Sequence, residues 1–249
     1  MVIFLTSDVG ATKKENGSRV STILNNTNGF INNLQDVIQN CDTFVFVASN
    51  PNSYSTNDDF AKLTFESFKM SGFPFSRLMV VDNRTKGDIE NIIKAADLVF
   101  LAGGDTHTQN RFVLNINLGE ILKKYSPIII GQSAGSVNLA ENVYCSPEDE
   151  KDLTIPRYFK GLGLTDINIE PHFSNSPHFA EKNILQIELL EDSRKKSFYA
   201  ITDGSYIIDN GESKILYGEG YLFKNGSYIQ ICENNMKSKL KSYDNSHVK

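Results

Sequence analysis

The length, composition and charge of the chain are those of an ordinary folded protein and exclude several classes. With 249 residues, the chain is long enough to bury the core of one α/β domain. A formal net charge of −5 gives no electrostatic basis for nucleic-acid binding, and the three cysteines fit neither a disulfide framework nor a metal-ligand spacing. No apolar run approaches the roughly 20 residues that span a bilayer, and the apolar first residues carry no basic leader. We therefore expect a cytoplasmic protein with no membrane or nucleic-acid partner.

Apolar runs and amphipathic stretches alternate along the first half of the chain. The predicted strands are the apolar runs at 2–6, 43–48, 77–81, 98–102 and 127–131. Their near-continuous hydrophobicity is typical of parallel strands that are buried on both faces. The predicted helices lie near 29–39, 58–71, 86–95 and 108–124. This order predicts an α/β fold in which a doubly wound, mostly parallel sheet is flanked by helices.

The pattern changes after about residue 165. Residues 166–170 alternate apolar and polar side chains as in a strand, and residues 178–190 predict a helix. Short strand candidates follow between 198 and 232. The turn pairs that separate them are Asp203-Gly204, Asn210-Gly211 and Asn225-Gly226. We interpret this part as a β-rich C-terminal edge of the same domain, residues 1–233, and the polar stretch 234–249 as a frayed tail.

The most informative motif lies in the segment 128–136. An apolar strand enters Gly-Gln-Ser-Ala-Gly at 131–135, and a helix-compatible stretch follows at 137–141. A strand, Gly-x-Ser-x-Gly and a helix in this order form the setting of a nucleophile elbow, in which the serine occupies a strained turn. The alternative is a strand–helix turn whose serine only caps the helix. The context favours Ser133 as a nucleophile, with the backbone N–H of Ala134 as an oxyanion donor.

A second buried strand also ends in a glycine turn, at Gly103 and Gly104. Small residues at the carboxyl ends of neighbouring parallel strands are where an open α/β sheet forms its crevice. Gly104 is therefore the candidate for a second oxyanion N–H. The alternative is a tight turn with Asp105 or Thr106 as a helix N-cap. A phosphate-binding loop is disfavoured, because neither the Walker lysine pattern nor a complete Gly-x-Gly-x-x-Gly is present.

A serine nucleophile needs a base, and the usual base is histidine. The chain has four histidines: His107, His172, His178 and His247. His172 is the strongest candidate, because it follows a predicted strand in Glu-Pro-His-Phe at 170–173. His107 could also line the pocket, whereas His178 opens a predicted helix and His247 lies in the tail.

The residue that would orient the base is left open by the sequence. Asp203 follows a predicted strand and could hold the imidazole, although an aspartate before glycine is also a common turn residue. Glu148, Asp149 and Glu150 form an acidic loop after the predicted elbow helix and compete with Asp203.

These segments together resemble the peptidase E family of serine dipeptidases, which is related to cyanophycinase. The matching segments are Ala-Gly-Gly-Asp-Thr at 102–106, Gly-Gln-Ser-Ala-Gly at 131–135, Pro-His-Phe-Ser-Asn at 171–175 and the strand and turn around Asp203. Their order and approximate spacing match as well, so the resemblance covers most of the chain. It implies a class I glutamine-amidotransferase-like fold in which serine replaces the usual cysteine.

The resemblance also implies a role for individual positions. Carried over by position, the nucleophile, the base and the two oxyanion donors are Ser133, His172, Gly104 and Ala134. An acidic residue of the family aligns near Asp203, where a glutamate is more familiar, and another falls near Glu148 or Asp149. The residues expected to contact substrate are Gly103, Asp105, Gln132, Asn175 and Lys182. The arginine that the family carries after the histidine is missing, and Lys182 or His178 is the cation that would replace it.

The activity implied by the resemblance is hydrolysis of short peptides by a serine-type exopeptidase or dipeptidase through an acyl-enzyme. The expected partner is a small peptide, the expected state is a monomer or homodimer, and no metal or organic cofactor is needed. The polar segments 11–19 and 50–57 could border the pocket. Two alternatives remain: a hydrolase of cyanophycin-like or isopeptide substrates, and a catalytically silent relative that binds a ligand.

Overall fold

Parallel strand pairing organises the part of the chain that the computed structural model describes, residues 1–147, 153–174 and 184–240. The parallel strands of the main sheet are β1 (Ile3–Thr6), β4 (Thr43–Val47), β5 (Arg77–Val81), β6 (Leu98–Leu101) and β7 (Ile128–Gln132). They lie in the order β1-β7-β6-β4-β5. Each corresponds to a predicted strand. The predicted fold class, a mostly parallel sheet flanked by helices, is confirmed.

Both faces of this sheet are buried, as the apolar runs predict. Ile3 and Leu5 of β1 belong to one hydrophobic cluster, and Phe4 between them belongs to another on the opposite face. The second cluster is rich in phenylalanine: the Phe44 ring packs against Phe68 with a centroid separation of 5.0 Å. Such strands cannot be moved by one residue without exchanging their two faces, so their register is firmly set.

The helices of the described residues cover these faces. They are α1 (Phe30–Val37), α2 (Tyr54–Met70), α3 (Ile89–Lys94), α4 (Thr106–Asn115), α5 (Leu118–Tyr125), α6 (Ala134–Val137) and α7 (Ile184–Ser193). Helix α2 begins at Tyr54, four residues before its predicted start at 58. The residues of its first turn, 54–57, are weak helix formers, so their propensities do not indicate the earlier start. The prediction of a helix over 137–141 is wrong, because α6 is a single turn that ends at Val137. The predicted start of the helix at 178–190 lies outside the described residues.

The predicted helix at 108–124 is also wrong, because the chain forms two helices there. The break lies at Asn117, whose φ of 54° is in the left-handed region that asparagine tolerates better than most residues. The turn lets α5 pack closely against the backbone of Leu162, where a side chain at Gly119 would collide with the carbonyl oxygen.

The C-terminal part is rich in strands, as predicted, and the structure divides these strands between two different sheets. The remaining strands of the described residues are β2 (Thr12–Glu15), β3 (Ser18–Ser21), β8 (Asn142–Tyr144), β9 (Tyr158–Lys160), β10 (Ile169–Glu170), β11 (Phe198–Ile201), β12 (Tyr206–Asp209), β13 (Lys214–Tyr217), β14 (Gly220–Lys224), β15 (Ser227–Cys232) and β16 (Lys237–Lys239). Strands β12, β13 and β16 extend the main sheet antiparallel from β1. Strands β10, β11, β14 and β15 form a second sheet.

The chain passes from the second sheet to the main one at Asp203 and Gly204. The Gly204 N–H donates to the carbonyl oxygen of Asp8, just beyond β1, at 3.2 Å. The predicted tail also needs correction, because residues 237–239 form the edge strand β16, while residues 241–249 lie outside the described part. Two short hairpins, β2–β3 and β8–β9, stand apart from both sheets. None of the described helices has the length and apolar character needed to cross a bilayer.

The aromatic cluster predicts a large loss of stability on truncation. Phe44 is fully buried, and its ring contacts Phe65, Phe68, Phe75 and Phe100. We expect Phe44→Ala to lower the free energy of unfolding by about 3–5 kcal/mol, since it removes apolar contacts and leaves a cavity. Urea unfolding followed by circular dichroism measures the change. Met70→Ala, at a side chain that is 52% exposed, is the control and should change stability by less than about 0.5 kcal/mol. Equal losses would contradict this account of the core.

Candidate active site

Two pairs of parallel strands end at the same place in the molecule. In the main sheet β1 pairs with β7, and Thr6 lies beside Gln132, so Ser7 and Ser133 follow neighbouring strand ends. In the second sheet β10 pairs with β11, and His172 and Asp203 lie just beyond their carboxyl ends. The turn at Asp203 and Gly204 joins the two sheets there. These four side chains therefore meet, although they are far apart in the sequence.

Ser133 occupies the strained turn that its motif predicts. Its φ of 51° and ψ of −116° are unusual for a residue with a side chain, and such backbone strain costs about 1–3 kcal/mol. The backbone holds the turn, because the Ser133 N–H donates to the carbonyl oxygen of Thr6 at 3.0 Å. A side chain at Gly135 would collide with the carbonyl oxygen of Leu101. Ser133 stands at the N-cap position of α6, but its hydroxyl makes no capping bond.

The Ser133 hydroxyl instead contacts an imidazole that is itself bound to a carboxylate. Ser133 Oγ lies 2.9 Å from His172 Nε2, and His172 Nδ1 lies 2.7 Å from Asp203 Oδ1. A proton on Nδ1 donated to Asp203 leaves Nε2 free to accept the serine proton. A hydroxyl, an imidazole and a carboxylate in this order can generate a serine nucleophile.

The backbone of His172 is held on both sides. Its φ of 57° is left-handed, and its N–H donates to Ser7 Oγ at 2.7 Å. The next residue, Phe173, donates its N–H to the carbonyl oxygen of Ile201 at 3.1 Å. The Phe173 ring packs on Tyr221 with a centroid separation of 4.9 Å. The loop that carries the imidazole is therefore anchored to the second sheet.

The charges around His172 shift its titration. The hydrogen bond to Asp203 raises the pKa of His172 above its ordinary value, an effect opposed by burial and assisted by the negative charges of Asp8 and Glu170. The same hydrogen bond lowers the pKa of Asp203, with a smaller contribution from Ser7. Asp203 is therefore ionised at neutral pH.

Clefts open on both sides of Ser133 and His172. The larger has a volume of about 400 Å³, and its lining includes Asp8, Arg19, Asn57, Gly103, Gly104 and Gln132. A side chain at Gly104, whose φ is 143°, would collide with the side chain of Ser49, so this backbone can line the cleft only as glycine. The second cleft, of about 320 Å³, has a more apolar lining that includes Ala134, Val137, Ile169 and Leu189.

The other candidates from the sequence lie outside both clefts or outside the described residues. Asp105 is the N-cap of α4, where its carboxylate accepts the Thr108 N–H at 2.6 Å, and it does not line either cleft. His107 packs against the ring of Phe159, 4.7 Å away, and lines neither cleft. The candidates Glu148, Asp149, Asn175 and Lys182, together with His178 and His247, lie outside the described residues.

Comparison with known proteins assigns the chain to a family. The profile of peptidase family S51 matches residues 17–217. The chain belongs to peptidase family S51. Membership of this family makes the chain a peptidase of the serine type. No curated protein matches the chain by sequence.

Solved structures share the fold of this S51 chain. A peptidase from an acI-B1 Actinobacterium superposes with a TM-score of 0.68 at 14% sequence identity, and the match covers 96% of each chain. A protein assigned as a peptidase E from Listeria monocytogenes EGD-e superposes with a TM-score of 0.58 at 19% identity, covering 86% of this chain and 96% of that one. At these identities the likeness is one of fold.

Three residues of the site, Ser7, Asp8 and Arg19, were not singled out from the sequence, and Asp8 lines the larger cleft. Ser7 lies directly after the first predicted strand, and a polar residue at the carboxyl end of a parallel strand is the signal that could have found it. Arg19 belongs to the polar segment 11–19, which forms the hairpin β2–β3, and it reaches the larger cleft. Its guanidinium donates to Thr12 Oγ1 at 3.1 Å and lies over the ring of Phe60.

The coupling of His172 to Asp203 can be tested without any substrate in this member of family S51. In Asp203→Asn the carboxylate is lost, so we expect the pKa of His172 to fall. The imidazole then stays neutral to a lower pH, because a neighbouring negative charge no longer stabilises its protonated form. Nitrogen-15 NMR of the ring over a pH series measures this, with His172→Gln to assign the signal. Glu212→Gln, at an exposed turn, is the control and should leave the titration unchanged. An unchanged pKa in Asp203→Asn would contradict the observed contact.

Proposed function

We propose that this S51 peptidase is an exopeptidase or dipeptidase that cleaves short peptides at Ser133, with His172 as its base and Asp203 as the orienting acid. The observation that carries the proposal is the unbroken series of hydrogen bonds from Ser133 through His172 to Asp203. It is supported by the clefts on both sides of the Ser133 hydroxyl, where a peptide could lie across the serine.

In the proposed mechanism His172 moves one proton in each step. His172 Nε2 takes the proton of Ser133 as its Oγ attacks the peptide carbonyl carbon, and the backbone N–H groups of Ala134 and Gly104 stabilise the oxyanion. His172 then gives the proton to the leaving amine as the C–N bond breaks. His172 then takes a proton from a water molecule as the water oxygen attacks the acyl carbon. It returns that proton to Ser133 Oγ as the ester bond breaks and the carboxylic acid leaves. Asp203 stays ionised throughout and stabilises the imidazolium.

The size and charges of the larger cleft support a short substrate with charged ends. Volumes of 400 and 320 Å³ are in the ordinary range for small-molecule sites. Asp8 and Arg19 carry opposite charges on the lining of the larger cleft. We infer that the Asp8 carboxylate binds the amino terminus of the peptide and that Arg19 binds a substrate carboxylate, a role that a planar guanidinium fills well. Arg19 thus takes the role that the sequence suggested for Lys182 or His178.

A fluorophosphonate probe tests the nucleophile directly. We expect the wild type to be labelled at Ser133, Ser133→Ala to be unlabelled, and His172→Ala to react at least about 100-fold more slowly, since a general base contributes factors of 10²–10⁴. Peptide mapping by mass spectrometry measures the site and the rate. His107→Ala is the matched histidine control and should react like the wild type, because His107 lies outside both clefts.

Two other outcomes would favour one of the alternative functions. A folded wild type that is never labelled would favour the silent, ligand-binding relative. A labelled enzyme that cleaves a branched Asp–Arg polymer but no dipeptide would favour a cyanophycinase-like hydrolase. A dipeptide library run beside the polymer separates these activities.

The role of Arg19 predicts a charge-dependent loss of affinity. In Arg19→Ala we expect KM for a dipeptide with an aspartyl side chain to rise about 10- to 100-fold, the equivalent of a charged hydrogen bond of about 1.5–3 kcal/mol, while KM for the asparaginyl analogue changes little. Steady-state kinetics on both dipeptides measure the difference. Lys13→Ala, on the same hairpin and outside the cleft, is the control. Equal losses for both dipeptides would rule out recognition of the aspartyl side-chain carboxylate by Arg19, because the terminal carboxylate is present in both.

A further inference from the structure

A buried serine outside both clefts forms hydrogen bonds with His172 and Asp203 but not with Ser133. Ser7 is fully buried and follows β1 directly. Its Oγ donates to Asp203 Oδ1 at 2.6 Å and accepts the backbone N–H of His172 at 2.7 Å. One hydroxyl thus contacts both the carboxylate and the chain that carries the imidazole.

The distances indicate that the Ser7 hydroxyl donates its hydrogen bond to Asp203 and not to His172. Ser7 Oγ is 3.4 Å from His172 Nδ1, whereas Asp203 Oδ1 is only 2.7 Å from the same nitrogen. The Nδ1–H of His172 therefore donates a hydrogen bond to Asp203. The Ser7 hydroxyl has a single proton to donate, and the shorter distance indicates that it also donates to this carboxylate. Ser7 and His172 then both donate to the same carboxylate oxygen, which fixes the direction in which that oxygen points.

Among the described residues, the Asp203 side chain has hydrogen bonds only with Ser7 and His172. Its side chain is 59% exposed and lies in the turn between the two sheets. A solvated aspartate exchanges among rotamers, and only one of them reaches the imidazole. Ser7, in contrast, is fixed: the preceding residue, Thr6, donates its N–H to Ser136 Oγ at 2.8 Å and its hydroxyl to the Gly131 carbonyl oxygen at 2.7 Å. The strand end thus restricts the rotamers of an exposed carboxylate.

The bond to the backbone of His172 has a second effect. A left-handed conformation is unfavourable for histidine by about 1–2 kcal/mol, so the loop would relax without compensating contacts. The Ser7 hydroxyl accepts the N–H of that residue and thereby stabilises the strained conformation. Relaxation would turn the imidazole away from Ser133.

We propose that Ser7 is a positioning residue that holds His172 and Asp203 in line with Ser133. This inference rests on the proposed function, in which that alignment generates the nucleophile. Ser7 does not line either cleft, so it acts through the two residues that it binds and does not touch the substrate.

The test compares variants of Ser7 with a matched buried serine. Ser7→Ala removes both hydrogen bonds, and Ser7→Cys fills the space with a thiol that is a weak donor and acceptor. Ser71→Ala is the control, because the Ser71 hydroxyl also accepts a distant backbone N–H, at 2.8 Å, and donates to a carbonyl oxygen, at 2.7 Å, while Ser71 lines neither cleft. Thermal unfolding checks that each variant folds.

The first readout is the rate of fluorophosphonate labelling at Ser133. We expect Ser7→Ala and Ser7→Cys to react about 10- to 100-fold more slowly than the wild type, since small displacements of reacting groups cost factors of this size. Ser71→Ala should react like the wild type. Wild-type rates in Ser7→Ala, or full recovery in Ser7→Cys, would overturn the inference, because they would mean that the hydroxyl is dispensable or serves packing alone.

The second readout is the pKa of His172 by nitrogen-15 NMR, which does not depend on any activity. If Ser7 positions Asp203, its loss weakens the contact with the imidazole and the pKa of His172 falls towards its ordinary value. If Ser7 only withdraws charge from a carboxylate that stays in place, the pKa of His172 rises instead, since Asp203 becomes the stronger acceptor. A fall supports the inference and a rise or no change overturns it, even if the wild type fails to react and the proposed function is wrong.

Discussion

The structure of the site depends on a meeting of strand ends from two sheets. Ser7 and Ser133 lie beyond β1 and β7 of the main sheet, and His172 and Asp203 lie beyond β10 and β11 of the second. The turn after Asp203 carries the chain from one sheet to the other, and its Gly204 N–H is bonded to the backbone beyond β1. Because strand register is fixed by buried faces, the positions of all four side chains follow from the pairing.

Strain at two residues is balanced by backbone contacts with these sheets. Ser133 and His172 both have positive φ angles, which side chains disfavour. Ser133 is held by the carbonyl oxygen of Thr6, and the loop at His172 is held at Ser7 and Ile201. Each strained residue presents its polar group to the other at 2.9 Å. The stability of the surrounding sheets therefore maintains a local geometry that neither loop would adopt alone.

Local patterns in the sequence were sufficient for the parallel strands of the main sheet and for the strained turn at Ser133. Both depend on residues that are adjacent in the chain: apolar runs for the strands, and Gly-x-Ser-x-Gly directly after a strand for the turn. The choice between Asp203 and the acidic loop at 148–150 could not be made in this way, because it depends on which strands pair. Ser7 could be recognised locally as a polar residue at a strand end, but its contacts with His172 and Asp203 depend on the same long-range pairing.

Errors in the fold also arose where long-range contacts decide local structure. The break at Asn117 leads into a close approach to Leu162, which no propensity within 108–124 predicts. The short strands after residue 198 have similar patterns, yet they divide between two sheets according to the turns at Gly204 and Gly218, both of which have positive φ. Local sequence therefore indicates that these strands exist but leaves their partners open.

The division of the site between two sheets has a consequence for folding. A chain in which only the main sheet has formed contains Ser133 but lacks its imidazole, and one with only the second sheet has His172 and Asp203 without a hydroxyl to activate. The series of hydrogen bonds from Ser133 through His172 to Asp203 can therefore be complete only after both sheets are in place. The arrangement of the site is thus a property of the complete fold, and neither sheet alone contains it.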